Sequence, residues 1–268
     1  MNKFSFLLPP VFVFCIASCT LNKAKINNDL KKYFDSSHVD GSFTLLNNQS
    51  GDITVYNMKL DTQRFSPAST FSIVNVLTGV QTGNITDENM VLKPGSGNKA
   101  TGNGDKGLTL KQAFLASDAA YFQEIARRTG KNDIKLWVDS IRYGNKDISG
   151  PIDSFWLNNH LKISPDEQLG LMSKLYFDQL PFQKYGQQMV RHMMLIEDNT
   201  LYKLSYKTSG GGKDDKVGWV VGWIEENKHV YFFVTLVKPI VENSDLKGLG
   251  INITKGILKE LGFFKGEM

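Results

Sequence analysis

The stretch Ser66–Gly79, SPASTFSIVNVLTG, decides how the rest of the chain is interpreted. Proline and small residues precede Ser69-Thr70-Phe71-Ser72, and an apolar run follows, a pattern typical of a helix start that presents a serine. Taken alone, such a serine is more often only a helix cap. As a nucleophile it needs an adjacent group that accepts its proton. One helical turn after Ser69 stands Ser72, whose hydroxyl is not a base at neutral pH, so the stretch indicates a nucleophile position without its base.

The N-terminus predicts export. Lys3 precedes an apolar run at residues 4–18, which is too short for an ordinary membrane-spanning helix and is typical of a secretory signal. The run ends at Ile16-Ala17-Ser18-Cys19, which resembles the lipobox of bacterial lipoproteins. By that resemblance Cys19 is lipid-modified and anchors the mature protein to the periplasmic face of a bacterial membrane. A plain signal peptide cut near the same point, giving a periplasmic protein, is the alternative.

Composition narrows the classes of site and partner. The two cysteines, Cys15 and Cys19, lie within or at the end of the leader, so the body has no disulfide, thiol nucleophile or thiolate metal site. A formal charge of +4 over 268 residues, with scattered lysines, argues against nucleic acid as a partner. An apolar content of 41% is enough for a full core.

The order of elements predicts the architecture. Residues 19–35 are expected to be a polar tether, and residues 36–268 one domain. Alternating strand patterns occur near both ends of that domain, and helical periodicity fills its middle. We therefore predict an α/β fold with an antiparallel sheet formed from both ends of the chain (36–65 and 196–268), terminal helices, and an inserted all-helical lobe (66–195). The patterned segments are a hairpin at 41–57, helices at 108–130, 164–180 and 251–264, and strands at 201–209, 217–226 and 229–237.

Five motifs, in order along the chain, carry a family resemblance. They are PASTF around Ser69, SDA from Ser117, YGN from Tyr143, IDSFWLNNHLKIS around Trp156, and KTSG from Lys207 followed by GWVVGWIE. The chain resembles the penicillin-recognising serine enzymes, and most closely the class D β-lactamases. That resemblance implies a ligand that is a β-lactam or a small molecule similar to a peptidoglycan stem.

The resemblance also implies residue roles. In the family a serine at a helix start attacks the lactam carbonyl, and a lysine one turn later, carboxylated in class D enzymes, accepts its proton and activates the deacylating water. Ser69 matches the nucleophile and Ser117 the proton-relaying serine of the second motif. Lys207 and Thr208 match the third motif, which holds the substrate and forms part of the oxyanion hole. Trp156 matches the tryptophan that contacts the carboxylated lysine.

The departures from the family pattern bear on activity. Ser72 stands where the family has its lysine and cannot be carboxylated, so no cofactor and no CO₂-derived group is expected there. General-base catalysis is typically worth about 10²–10⁴-fold in rate. Ser209 replaces the glycine of the third motif. Ala119 stands where the second motif usually has valine or a similar apolar residue. In the region where the family commonly has an arginine for the substrate carboxylate, Lys247 is the substitute, as a point charge without the bidentate fork.

Three hypotheses follow for function, and whether the chain is an enzyme stays open among them. The first is a weakened β-lactam hydrolase, in which Lys207 deprotonates Ser117 and Ser117 relays to Ser69, with no evident base for deacylation. The second is an inactive penicillin-recognising lipoprotein that binds or senses its ligand in the envelope. In the third, Ser72 is a recent or engineered change in an otherwise competent site. Asp118 is expected to point away from the site, and the histidines form no metal pattern; they are His38, His160, His192 and His229.

Overall fold

A computed structural model describes residues 24–92, 107–210, 216–240 and 245–268. The predicted signal peptide, Cys19 and most of the Gly-rich stretch 95–107 lie outside these ranges. The strands are β1 (Ala24–Ile26), β2 (Val39–Asn47), β3 (Ile53–Tyr56), β4 (Val91–Leu92), β5 (Leu108–Thr109), β6 (Leu195–Asp198), β7 (Tyr202–Ser209), β8 (Gly218–Glu226) and β9 (His229–Pro239). The α-helices are α1 (Lys31–Ser36), α2 (Met58–Asp61), α3 (Ser72–Gln81), α4 (Leu110–Ala116), α5 (Ala119–Thr129), α6 (Lys131–Ser140), α7 (Pro165–Tyr176), α8 (Lys184–Met194) and α9 (Leu246–Glu260).

The central sheet is assembled from both ends of the chain. Its strand order is β1-β3-β2-β9-β8-β7-β6, and every pair is antiparallel except the parallel pair of β1 with β3. N-terminal β2 pairs with C-terminal β9 over nine residues, from Val39 opposite Pro239 to Asn47 opposite Tyr231. The predicted architecture, including the hairpin of β2 and β3, is confirmed.

Residues 24–35, which the sequence placed in a polar tether, belong to the packed body. Ala24–Ile26 adds a strand to the sheet, Asn28–Leu30 forms a 3₁₀ turn, and α1 follows. Leu30 and Phe34 are buried and pack with the helix α9 side of the core. Lysines and asparagines dominate this segment, so two of its apolar residues, Leu30 and Phe34, were not recognised as a pair spaced one helical turn apart. The burial of these two side chains attaches the segment to the body.

Helix α9 covers one face of the sheet and begins five residues earlier than the predicted Ile251. Asp245 caps it by accepting a hydrogen bond from the Gly248 N–H at 3.0 Å. Glycine disfavours helix, and Gly248 and Gly250 lie in this first part of α9, so the sequence predicted a later start. Gly250 is needed for packing, because a Cβ there would lie 3.1 Å from a methyl carbon of Val220 on β8.

The other face of the sheet carries the helical lobe, whose centre is α3. Every residue from Ser72 to Val80 in α3 is buried, as expected for a helix that is apolar nearly all round. The predicted helix at 108–130 is two helices, since Ser117 ends α4 in the left-handed conformation (φ 58°). Asp118 then caps α5 by accepting from the Tyr121 N–H at 2.8 Å. Serine and aspartate compete for backbone hydrogen bonds and therefore favour such breaks.

Strand β7 is only half covered by the short edge strand β6. The pairing between them involves residues 203–205 of β7, and residues 206–209 have no strand beside them on that side within the described ranges. On its other side β7 pairs with β8 along its whole length. The last turn of the strand is therefore an open edge, next to the start of α3.

The C-terminal tail is held by one buried carboxylate. Glu226, at the end of β8, accepts hydrogen bonds from four consecutive backbone N–H groups, those of residues 264–267. We expect Glu226→Ala to lower the free energy of unfolding by about 2–3 kcal/mol, because hydrogen bonds to charged groups are worth more than neutral ones. Urea denaturation measures this.

Glu267→Ala is the matched control, because it removes an exposed carboxylate from the same tail while leaving the backbone donors. Equal stability of the Glu226→Ala and Glu267→Ala proteins would show that the carboxylate does not anchor the tail.

Candidate active site

Ser69 lies in a 3₁₀ turn, Ala68–Phe71, that leads directly into α3. The turn begins with an uncommon backbone conformation at Ala68 (φ 45°). The main-chain oxygen of Trp156 fixes this conformation by accepting from the Ala68 N–H at 3.1 Å and the Ser66 hydroxyl at 2.8 Å. The Trp219 indole N–H donates to the main-chain oxygen of Ser66 at 2.9 Å. Ser69 is thus presented, half-buried, on a turn fixed from both the loop and the sheet.

An aromatic cluster supports this turn from beneath. The ring of Phe71 stacks on Trp156 with centroids 5.4 Å apart, and it meets Phe155 and Tyr143 edge-on at 5.3 and 5.5 Å. Such pairs add about 0.5–1.5 kcal/mol each beyond area burial. Trp156 is therefore a buried contact of the nucleophile turn through both its ring and its carbonyl.

The Tyr143-Gly144-Asn145 motif closes the loop that carries Trp156. The Asn145 side chain accepts from the Lys162 N–H at 2.9 Å and donates to the His160 oxygen at 2.7 Å. Gly144 is required, since its φ is +48° and a Cβ would lie 1.8 Å from the Lys162 oxygen. The His160 ring faces Ser149 at 3.0 Å, within the same loop. This motif therefore shapes the loop and does not supply reactive groups.

Ser117 and Lys207 meet as the sequence predicted. The Lys207 Nζ donates to the Ser117 Oγ at 2.5 Å and to the Thr208 oxygen at 2.9 Å. The Ser117 hydroxyl donates to that same oxygen at 3.3 Å. The left-handed backbone at Ser117 turns its side chain toward β7, and the neighbouring Asp118 is committed to capping α5. The second and third motifs therefore form one hydrogen-bonded unit.

Burial makes Lys207 an unusual lysine. Desolvation, and to a lesser degree the positive charge of Lys247, lower its pKa from 10.5 to about 7. Its ammonium lies 5.1 Å from the ring centroid of Phe114, an attraction that partly offsets the cost of burial. At neutral pH a substantial fraction of molecules carries a free amine hydrogen-bonded to Ser117, and a free amine can accept a proton.

Ser209 joins the end of β7 to the nucleophile turn. Its buried hydroxyl oxygen accepts a hydrogen bond from the Ser69 N–H at 3.2 Å. The first N–H groups of a helical turn have no partner within the helix, so this donor is available to any nearby oxygen. Three consecutive residues of β7, Lys207 to Ser209, thereby contact both Ser117 and Ser69.

Lys247 lies at the same end of the sheet, in the first turn of α9. It lines a cavity of about 150 Å³ with Lys207 and Thr208. Its Cβ lies 3.9 Å from where a Cβ on Gly210 would be. The prediction that a lysine from this region reaches the site is consistent with this position, although its role stays a prediction. The remaining lining residues of this cavity are Phe114, Leu115, Ile196, Tyr206 and Ile251.

Ser72 and Asn75 lie in the first turns of α3, where the family resemblance predicts a lysine at position 72. The Ser72 hydroxyl donates back to the Ser69 main-chain oxygen at 2.8 Å, so it acts as a helix-backbone partner. Asn75, one turn further on, is buried, and both polar atoms of its side chain lack a hydrogen-bond partner. Side chains three apart share a helix face. A longer polar side chain at position 72 would be able to reach this amide.

Sequence reasoning missed three contributors to the site. Asn75 gave no signal because an asparagine in an apolar helix looks like a packing exception. Leu115 and Ile196 become neighbours of Lys207 only through the placement of α4 and β6. Within the described ranges, no three His, Cys, Asp or Glu side chains cluster as metal ligands, and no helix is both long and apolar enough to cross a membrane.

The comparisons with known proteins agree with this geometry. The family model for the penicillin binding protein transpeptidase domain matches residues 41–258. The probable beta-lactamase YbxI of Bacillus subtilis is 38% identical over 242 residues, covering 90% of this chain and 87% of that protein. The chain belongs to the class D β-lactamase family. A class D beta-lactamase structure from Sebaldella termitidis superposes with a TM-score of 0.85 at 29% identity, covering 91% of this chain and all of that one.

The family is not limited to proteins named as β-lactamases. The regulatory protein BlaR1 of Bacillus licheniformis is 31% identical over 214 residues. That match covers 78% of this chain and only 35% of BlaR1. A segment of a longer regulatory protein is therefore similar in sequence to this chain.

The pKa of Lys207 predicts a pH dependence of stability. Because its folded-state pKa, about 7, lies below the value of 10.5 expected when unfolded, the unfolded state binds more protons between these pH values. The free energy of unfolding should therefore rise with pH across this window, by about 1–4 kcal/mol from this group.

Lys207→Met provides the reference for this measurement. The wild-type protein should be less stable than Lys207→Met near pH 6.5, and the difference should shrink as pH rises toward 10 in denaturant titrations. A difference that stays constant over this range would mean that Lys207 keeps an ordinary pKa.

Proposed function

We propose that β-lactams acylate Ser69 of this class D family protein. The resulting acyl-enzyme is hydrolysed slowly. The observation that carries the proposal is the contact of β7 with both predicted reactive serines, through the 2.5 Å bond from Lys207 to Ser117 and the 3.2 Å bond from Ser69 to Ser209. This arrangement leaves a nucleophile, a relay hydroxyl and an amine in one hydrogen-bonded region.

Acylation would proceed without the family lysine. The Ser69 oxygen attacks the lactam carbonyl carbon while its proton passes to Ser117, and the Ser117 proton passes to the free amine of Lys207. When the lactam C–N bond breaks, the Lys207 ammonium returns a proton through Ser117 to the leaving nitrogen. An amine of pKa about 7 suits both halves of this cycle at neutral pH.

Deacylation has no comparable support. A water that attacks the acyl-enzyme ester must lose a proton near position 72, where the Ser72 hydroxyl is bound to the helix backbone. Lys207 lies on the β7 side of the nucleophile, hydrogen-bonded to Ser117. We infer that the acyl-enzyme accumulates and that turnover is slow.

The open edge of β7 supports a ligand with an amide and a carboxylate. Residues 206–209 have no strand paired beside them on the side away from β8 within the described ranges, and an extended amide commonly binds along such a strand edge. Lys247 is placed beyond them to attract a carboxylate, as a point charge. β-Lactams and peptidoglycan stems share these two features.

The pH profile of acylation tests the role of Lys207. The rate of covalent labelling by a fluorescent penicillin should rise with pH with a midpoint near 7, because only the free amine accepts the relayed proton. Lys207→Gln should lower the rate by about 10²-fold or more. Ser69→Ala should not be labelled at all, and labelling of that variant would refute the assignment of the nucleophile.

Restoring a lysine tests whether the missing base limits turnover. Ser72→Lys should raise hydrolysis of a chromogenic cephalosporin by about 10²–10⁴-fold, since it returns general-base catalysis beside Ser69. The gain should depend on added bicarbonate, because the family base is a carboxylated lysine. Ser72→Gln, of similar length but without an amine, is the matched control.

If Ser72→Lys remains as slow as the native protein while Ser69 is still labelled, the defect lies elsewhere in the site. High bicarbonate-independent turnover by the native protein would contradict the proposal of slow release.

A second function, as an envelope sensor or binding protein, has one observation in its favour. The similarity to a portion of the regulatory protein BlaR1 supports it. A long-lived acyl-enzyme would suit a sensor better than a hydrolase. A partner that binds only the penicillin-treated protein in pull-downs from envelope extracts, and not Ser69→Ala, would favour this role.

We further propose that the protein is an exported lipoprotein anchored through Cys19. The apolar run at 4–18 and the sequence Ile16-Ala17-Ser18-Cys19 support this location. Metabolic labelling with an alkyne fatty acid should mark the native protein and not Cys19→Ala.

A further inference from the structure

The side chain of Ser209 occupies a position that a reacting carbonyl oxygen would need. Attack on a carbonyl places negative charge on its oxygen, and backbone N–H groups beside the nucleophile stabilise that charge. The N–H of Ser69 is such a donor because it belongs to the nucleophile itself. In this structure it already donates to the Ser209 Oγ, at 3.2 Å.

An N–H group points along one direction and binds one well-aligned acceptor at about 2.9 Å. A substrate carbonyl oxygen on the axis of the Ser69 N–H would coincide with the present position of the Ser209 Oγ. Two oxygens cannot share that position, so one must leave. The Ser209 side chain is fully buried, which restricts its alternative rotamers.

We propose that the Ser209 hydroxyl occupies the oxyanion-binding N–H group of Ser69 until a ligand displaces this hydroxyl. This inference rests on the proposed acylation of Ser69. Ser209 then determines which ligands react with Ser69. Only a ligand that binds tightly along β7 and at Lys247 supplies the binding energy needed to rotate the Ser209 side chain. Poorly anchored carbonyl compounds would leave the donor occupied.

The position of Ser209 explains why a single side chain has this effect. It is the last residue of β7, where it pairs with Trp219 of β8, and its neighbour Gly210 has no side chain. The strand thus ends beside the 3₁₀ turn of Ser69 with one hydroxyl directed at the turn. A glycine at this position would leave the Ser69 N–H open to a ligand.

Ser209→Ala and Ser209→Gly test the proposal, with the rate of Ser69 acylation by a fluorescent penicillin as the first readout. Both variants should be acylated about 10-fold faster or more than the native protein. Ser209→Thr, which keeps the hydroxyl, should stay near the native rate. Ser205→Ala is the matched control, because Ser205 is another buried serine of β7 outside the site, and its removal should leave the rate unchanged.

Amide hydrogen exchange of Ser69, followed by NMR on the ¹⁵N-labelled protein, is the second readout and needs no activity. Exchange at this amide should be faster in Ser209→Ala than in the native protein and in Ser205→Ala. Unchanged protection of the Ser69 amide, or an acylation rate in a folded Ser209→Ala that is equal to or below the native rate, would overturn the inference. If no protein is labelled, the proposed acylation fails, and the exchange data still decide whether Ser209 holds the donor.

Discussion

The site depends on the contact between the end of β7 and the turn that carries Ser69. Through Lys207, Thr208 and Ser209 the strand makes hydrogen bonds to Ser117 on one side and to the Ser69 N–H on the other. Lys207 and Ser117 are 90 residues apart along the chain, and Ser69 and Ser209 are 140 apart. The packing of the helical lobe against the sheet brings these segments together, so the site depends on the fold.

In the proposed chemistry, Ser72 and Ser209 act at different steps. Ser72 affects proton transfer, since its hydroxyl is bonded to the helix backbone and Asn75 beside it is left without a partner. Ser209 affects stabilisation of the developing negative charge, because its hydroxyl is bonded to the relevant donor. Burial lowers the pKa of Lys207 to about 7, so that a free amine is present near neutral pH. The proposed chemistry at this site favours capture of a ligand over its repeated hydrolysis.

Much of this arrangement could be predicted from the sequence. The order of strand and helix patterns predicted the sheet and its inserted lobe, and the family resemblance of the motifs predicted that Ser117 and Lys207 lie together. The predictions from sequence were wrong for the polar residues 24–35 and the glycines at the start of α9, where local preference opposes packing. There a tertiary contact decided the outcome, namely the burial of Phe34 and the fit of Gly250 against Val220. The break at Ser117 has a local cause, because serine and aspartate compete for the helix hydrogen bonds.

Two other features could not be predicted from the sequence, because they depend on how distant residues pack together. The lowered pKa of Lys207 results from burial and from Lys247, which is 40 residues away along the chain. The bond from the Ser69 N–H to Ser209 depends on a side-chain rotamer at the end of a strand. A crystal structure determined after soaking with a penicillin would show whether Ser69 forms the acyl-enzyme. We predict continuous density from the Ser69 Oγ to an opened lactam, with the ligand carbonyl oxygen at the Ser69 N–H and the Ser209 side chain rotated away; a ligand held without a covalent bond, or an adduct on any other residue, would contradict the account.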